Sequence, residues 1–160
     1  MSGAVLFHGS DHDSVIAAIR KRAMEILEVS SEEALLNHGD YQEVTPTSKS
    51  YLYSMETIQS IVKESALPPF RGKKRIIALF SIDRMLPVHA NALLKTLEDA
   101  PENFLLILGT TRYNDIIKTI LSRVQKEHVE GLGELEDYTE PVSVLLDKLH
   151  NDQFDSFLKE

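Results

Sequence analysis

Ile76, Ile77, Ala78, Leu79 and Phe80 form an unbroken apolar run, of strand length and with no polar face. Side chains alternate between the two faces of a strand, so this one must be covered on both sides, which a parallel sheet packed between helices achieves. Ala4 to His8, ending at Gly9, and Phe104 to Leu108 read the same way, and Tyr41–Val44 and 124–129 complete five candidate strands. Between them the apolar residues recur at helical spacing. Val15, Ile16, Ile19, Ala23, Ile26 and Leu27 share one face, and Met55, Ile58, Ile61 and Val62 share another until Leu67, Pro68 and Pro69 stop the helix. Pro87 suits a first helical turn, with Val88, Leu93, Leu94 and Leu97 on the apolar side until Pro101, and Ile116, Ile117, Ile120 and Leu121 mark a further helix. Strand and helix alternate throughout. The expected fold is therefore α/β, a doubly wound five-stranded parallel sheet with helices on both faces, spanning residues 1–130. Gly131 and Gly133 loosen the chain before two short helical patterns, 142–149 and 154–158, which make 131–160 a helical extension.

A chain of 160 residues that is 42% apolar and 26% charged has enough material for one hydrophobic core. It contains no cysteine, which removes disulfides, thiolate metal sites and thiol nucleophiles. No basic stretch precedes an apolar one at the N-terminus and no apolar run reaches membrane-spanning length, so the expected setting is cytosolic. The net charge of -8 opposes broad contact with a polyanion, and DNA contact must be local or supplied by partners.

In open α/β sheets ligands bind beyond the carboxyl ends of the strands. After the first strand come His8, Gly9, Ser10, Asp11, His12, Asp13 and Ser14. A phosphate-binding loop there needs several glycines, then Lys and Ser or Thr. This segment has one glycine, no lysine and two aspartates, so nucleotide binding is expected to be lost and no cofactor is expected. Two other readings are a metal site made by His8, Asp11, His12 and Asp13, and a solvated turn that caps the next helix. Arg71, Lys73, Lys74 and Arg75 place four positive charges in five positions. That cluster reads as a nucleic-acid patch or, with no aromatic residue within it, as the solvated loop leading into a buried strand.

Ala90, Asn91, Ala92, Leu93, Leu94, Lys95, Thr96, Leu97, Glu98, Asp99 and, further on, Thr119, Ile120, Leu121, Ser122, Arg123 carry a family resemblance. So do the segments 39–44, 54–61 and 73–80. Over roughly residues 4 to 129 the chain resembles the clamp-loader branch of the AAA+ ATPases, the delta-prime and gamma subunits of bacterial DNA polymerase III. The ruined phosphate loop favours delta-prime. The resemblance implies a RecA-like AAA+ core and a stator that does not hydrolyse ATP. Its partners would be the gamma/tau and delta subunits, with the sliding clamp and primed DNA reached through the assembly. It departs from the pattern in lacking the N-terminal stretch that contacts adenine and the zinc-binding cysteines. The region after Val129 is too short for the collar domain, so the chain is expected to be a fragment or a short paralogue and a monomer when isolated.

Residue by residue, the resemblance places Asp83 where the ATPases carry their magnesium-organising Asp, but Arg84 stands where they need Glu. An always-protonated guanidinium cannot act as a base. Asp83 can equally be a carboxylate capping the turn before Pro87. Thr110 lies at the position that senses the terminal phosphate, or in a plain turn. Ser122 and Arg123 resemble the Ser-Arg-Cys arginine-finger motif, with Val124 in place of Cys, and such a finger acts in trans on a neighbour's nucleotide. The simpler reading of Arg123 is an exposed helix-end cation. Two other functions fit parts of the sequence. One is an active gamma-like ATPase; the other is a receiver-type signalling domain using Asp11, Asp13, Asp83, Thr110 and Lys126.

Overall fold

In a computed structural model the described residues are 3–131. Five strands, β1 (Ala4–Gly9), β2 (Tyr41–Val44), β3 (Arg75–Leu79), β4 (Phe104–Thr110) and β5 (Gln125–Val129), form one sheet in the order β2-β3-β4-β1-β5. Every pairing is parallel. The helices are α1 (His12–Leu27), α2 (Glu32–Leu36), α3 (Met55–Ser65), α4 (Pro87–Asp99) and α5 (Lys118–Leu121), with short 3-10 turns at Ile82–Arg84 and Tyr113–Asp115. The doubly wound α/β fold expected from the sequence is the observed one. A receiver-type domain has the flavodoxin-like order 2-1-3-4-5, so this strand order removes that reading.

Alternation along the strands divides the interior into two cores. Leu6, Ile77, Leu79, Leu106 and Leu108 face α3, α4 and α5, where they meet Ile58, Ile61, Leu93, Leu97 and Ile120. Val5, Phe7, Ile76, Ala78 and Ile107 face α1 and α2, where they meet Val15, Ile19, Ala23 and Leu35. Each fully buried Leu or Ile contributes on the order of 1.5–3 kcal/mol relative to exposure, so the two layers carry the fold. Gly109 sets how closely α1 lies on β4. A Cβ there would sit 2.7 Å from Ile19 Cδ1 and 3.2 Å from Val15 Cγ1.

Helix starts follow side-chain caps. Asp11, Ser31 and Ser54 accept from the backbone N–H three residues on, at the heads of α1, α2 and α3. The Ser31 cap explains α2, a five-residue helix too short to show apolar periodicity in the sequence. The final helix is shorter than its apolar pattern, because only Ile120 and Leu121 lie in α5. Ile116 and Ile117 precede it in extended backbone and still pack on the core. Val124 is buried but stands just before β5, and Phe80 lies past the end of β3, its N–H donating to Val44 O at 3.0 Å. The helical patterns at 142–149 and 154–158, and Gly133, lie outside the described residues. No helix among the described residues is long and apolar enough to cross a membrane.

Candidate functional site

The carboxyl ends of β1, β4 and β5 open onto a cleft of about 500 Å³ lined by His8, Ser10, Arg112, Tyr113, Asp115 and His128 among others. It begins where β1 becomes α1. Only Ser10 and Asp11 separate Gly9 from His12. Gly9 serves strand packing, since a Cβ there would lie 2.4 Å from Val129 O on β5. Asp11 turns its carboxylate onto the head of α1, where Oδ2 accepts from Ser14 N at 2.9 Å and from Ser14 Oγ. Those two bonds, side chain first, hold its pKa below the usual carboxylate value. The amino end of a helix attracts anions through its free N–H groups and dipole. Here the chain's own carboxylate occupies that place, the helix-capping turn weighed from the sequence.

His8, Asp11, His12 and Asp13 do not converge. Among the described residues no group of three or more His, Asp or Glu side chains could hold a metal ion. His8 lies instead against the Tyr113 ring, with centroids 4.5 Å apart, and 5.2 Å from the His128 ring. Burial, then the neighbouring charge of His128, lowers its pKa. The sequence reading included neither Tyr113 nor His128, because it takes the pairing of β1 with β4 and with β5 to bring them beside His8.

Asp83 and Thr110 do meet. Thr110 Oγ1 donates to Asp83 Oδ1 at 2.7 Å and accepts from Arg112 N at 2.9 Å. Asp83 is nearly buried, whereas Arg84 is half exposed and its Nε stays 3.9 Å from Asp83 Oδ2. Asp83 lies in the Ile82–Arg84 turn before Pro87, where a structural carboxylate is the alternative, and it does not extend to the head of α4. Leu86 occupies the cap position and the helix head has no side-chain cap. Asp83 instead ties the end of β3 to the end of β4. Its charge adds to burial in raising the pKa of Tyr53, whose hydroxyl donates to Phe80 O and Val44 O.

Ser122 and Arg123 sit at the other side of the sheet's helical layer, just past α5. Arg123 Nε donates to Glu98 on α4, and Nη1 donates to Thr119 O at 2.9 Å and Ser122 Oγ at 3.1 Å. The two sequence strings that carried the family resemblance thus touch near their C-terminal ends. Glu98 was not foreseen as a partner, although it belongs to the first string. Both side chains keep substantial exposure, 32% for Arg123 and 48% for Glu98, so the pair is solvent-screened.

Residues 2–132 match the model of the family described as DNA polymerase III, delta subunit. The chain belongs to that family. It is 36% identical over 86 residues to the DNA polymerase III subunit gamma/tau of Mycoplasma pneumoniae, an alignment covering 54% of this chain and 12% of that protein. It is 30% identical over 98 residues to the DNA polymerase III subunit tau of Escherichia coli, covering 61% and 15%. The chain therefore spans less than a sixth of the length of these relatives. A gamma subunit-related protein from Thermotoga maritima superposes with a TM-score of 0.70 at 23% identity, over 84% of this chain and 43% of that one, a likeness of fold.

Proposed function

We propose that this member of the DNA polymerase III delta subunit family is a delta-prime-like stator domain of the clamp loader. It does not hydrolyse ATP itself and supplies Arg123 in trans to a neighbouring ATPase subunit. The observation that carries this reading is the β1 to α1 turn. Two residues leave no cradle of backbone amides for a triphosphate, and Asp11 places negative charge where phosphate would have to sit. Arg84 beside Asp83 adds to it, since the residue needed to align an attacking water is a cation. Its partners in this reading are the gamma/tau and delta subunits, and through them the sliding clamp and primed DNA.

Arg123 suits a role in trans because its planar, permanently charged fork matches a transferring phosphoryl group. An exposed ion pair contributes about 0–1 kcal/mol, so exchanging Glu98 for a neighbour's phosphate costs little. Titration calorimetry of the chain with magnesium and ATP tests the first half of the proposal. No heat beyond dilution is expected at millimolar nucleotide. A micromolar dissociation constant overturns the reading in favour of a gamma-like ATPase.

A further inference from the structure

The amino-terminal end of the sheet carries a second feature, the loop that leads from α3 into β3. Asp40, 1% exposed, gathers three consecutive backbone N–H groups of that loop: Phe70, Arg71 at 2.8 Å and Gly72 at 2.6 Å. Burial alone would raise the Asp40 pKa, but these amides outweigh it and hold the carboxyl ionised below its usual range. Gly72 is packed so closely that a Cβ would meet Asp40 Oδ2 at 3.2 Å. The loop backbone is therefore fixed, and what it fixes outward is unusual. Phe70 is 74% exposed, with one ring edge resting on Gly39 and the Arg71 guanidinium 5.8 Å from its centroid. Arg71 and Lys73 are exposed and Lys74 is partly so. Two nearby acids are directed elsewhere, Asp40 onto the amides and Glu64 onto Arg75 at 2.9 Å, while Glu102 shares a surface pocket with Lys74. A chain of net charge -8 thus presents, at one rigid point, a bare aromatic ring set among cations.

We infer that this loop is a docking surface for single-stranded nucleic acid, with Phe70 stacking on a base and Arg71, Lys73 and Lys74 following the phosphates. Aromatic stacking beside a cationic track is the common means of holding single strands without sequence preference. The sequence alone disfavoured this reading, because no aromatic residue lies within the basic run. The structure places Phe70 directly beside it. An exposed phenyl ring held on an immobilised backbone loses little entropy on stacking, which favours a base over a flexible acidic peptide that would use only the charges. The inference is independent of the stator proposal, because it concerns the opposite end of the sheet and this chain by itself.

The test is fluorescence anisotropy of a labelled oligo-deoxythymidine titrated with the 160-residue chain at low salt. Saturable binding is expected with a dissociation constant of roughly 1–100 µM, weakening with salt at a log–log slope of about 2 for three phosphate contacts. Phe70→Ala should weaken it roughly five-fold or more while Phe70→Tyr retains it, because the ring supplies the stacking. Circular dichroism of each variant should match the parent. Absence of binding up to ~100 µM overturns the inference. So do equal affinity for Phe70→Ala, equal affinity for duplex DNA, and displacement by polyglutamate as effective as by unlabelled oligomer.

Discussion

The two ends of the sheet are each organised by an aspartate that accepts backbone N–H groups, yet the two carboxylates are of different kinds. Asp11 is local and only partly buried, and its partner Ser14 is three residues away on the helix it caps. Asp40 is buried and long-range, drawing in amides about thirty residues further along the chain. A local cap forms with its helix and can be lost without disturbing much else. A buried clamp fixes a loop that is distant in sequence. The end that resembles a nucleotide site therefore carries a local contact, and the opposite end is held by a long-range one.

Three measurements break or sharpen that contrast. Replacing Asp40 by Ala should have the largest effect on the chain itself, about 2–4 kcal/mol in urea unfolding, because three partly buried donors lose a buried charged acceptor. The pH dependence has a definite sign. The folded-state pKa of Asp40 is depressed, so its contribution is complete above about pH 4 and is lost as pH falls through the lower folded value. A variant as stable as the parent at pH 7 would mean the loop is held by its other contacts.

Next is Arg123→Ala, which should barely alter unfolding, by less than about 1 kcal/mol, because its ion pair is exposed. In a loader reconstituted with the complete subunit, clamp and primed DNA, ATP hydrolysis at the neighbouring site should fall by ~10-fold or more, and Arg123→Lys should rescue little. Equal rates for parent and variant would leave Arg123 as a surface residue tied to Glu98.

The smallest effect is expected for Asp11→Ala, a loss of a few degrees in Tm from removal of the α1 cap. It should not confer ATP binding, since the turn keeps its length. A large loss of stability would erase the distinction between the two aspartates. Measurable nucleotide affinity would show that Asp11 alone had kept nucleotide out.

Most of the fold was legible in the sequence because it rests on local patterns. The apolar runs of β3 and β4 admit few alternatives, and Pro87 and Pro101 bracket α4. What escaped was set by contacts between distant segments. Helix α2 has one buried apolar residue, Leu35, and depends on the Ser31 cap. Asp40 looked like an ordinary residue before a strand, and its role depends on a loop that returns thirty positions later. The His8, Tyr113 and His128 cluster exists only because β1 pairs with both β4 and β5. At the candidate site, the missing Lys and the substitution of Arg84 were visible as residue types. That Asp83 bonds Thr110, and that Arg123 meets Glu98, required the sheet order and the α4 to α5 packing.

The length of the β1 to α1 turn also bears on how such a domain could change over evolutionary time. Single-base substitutions can alter Ser10, Asp11 or Arg84, but they cannot lengthen a connection of two residues. Building a phosphate cradle of the usual Gly-rich kind requires an in-frame insertion of several residues, together with loss of the Asp11 cap. The intermediates on that route would have a weakened α1 and no gain in nucleotide affinity, so selection would remove them. In the stator reading proposed above, a short turn of this kind works as a ratchet, and descendants of the chain can lose or refine its surfaces far more readily than they can become motors.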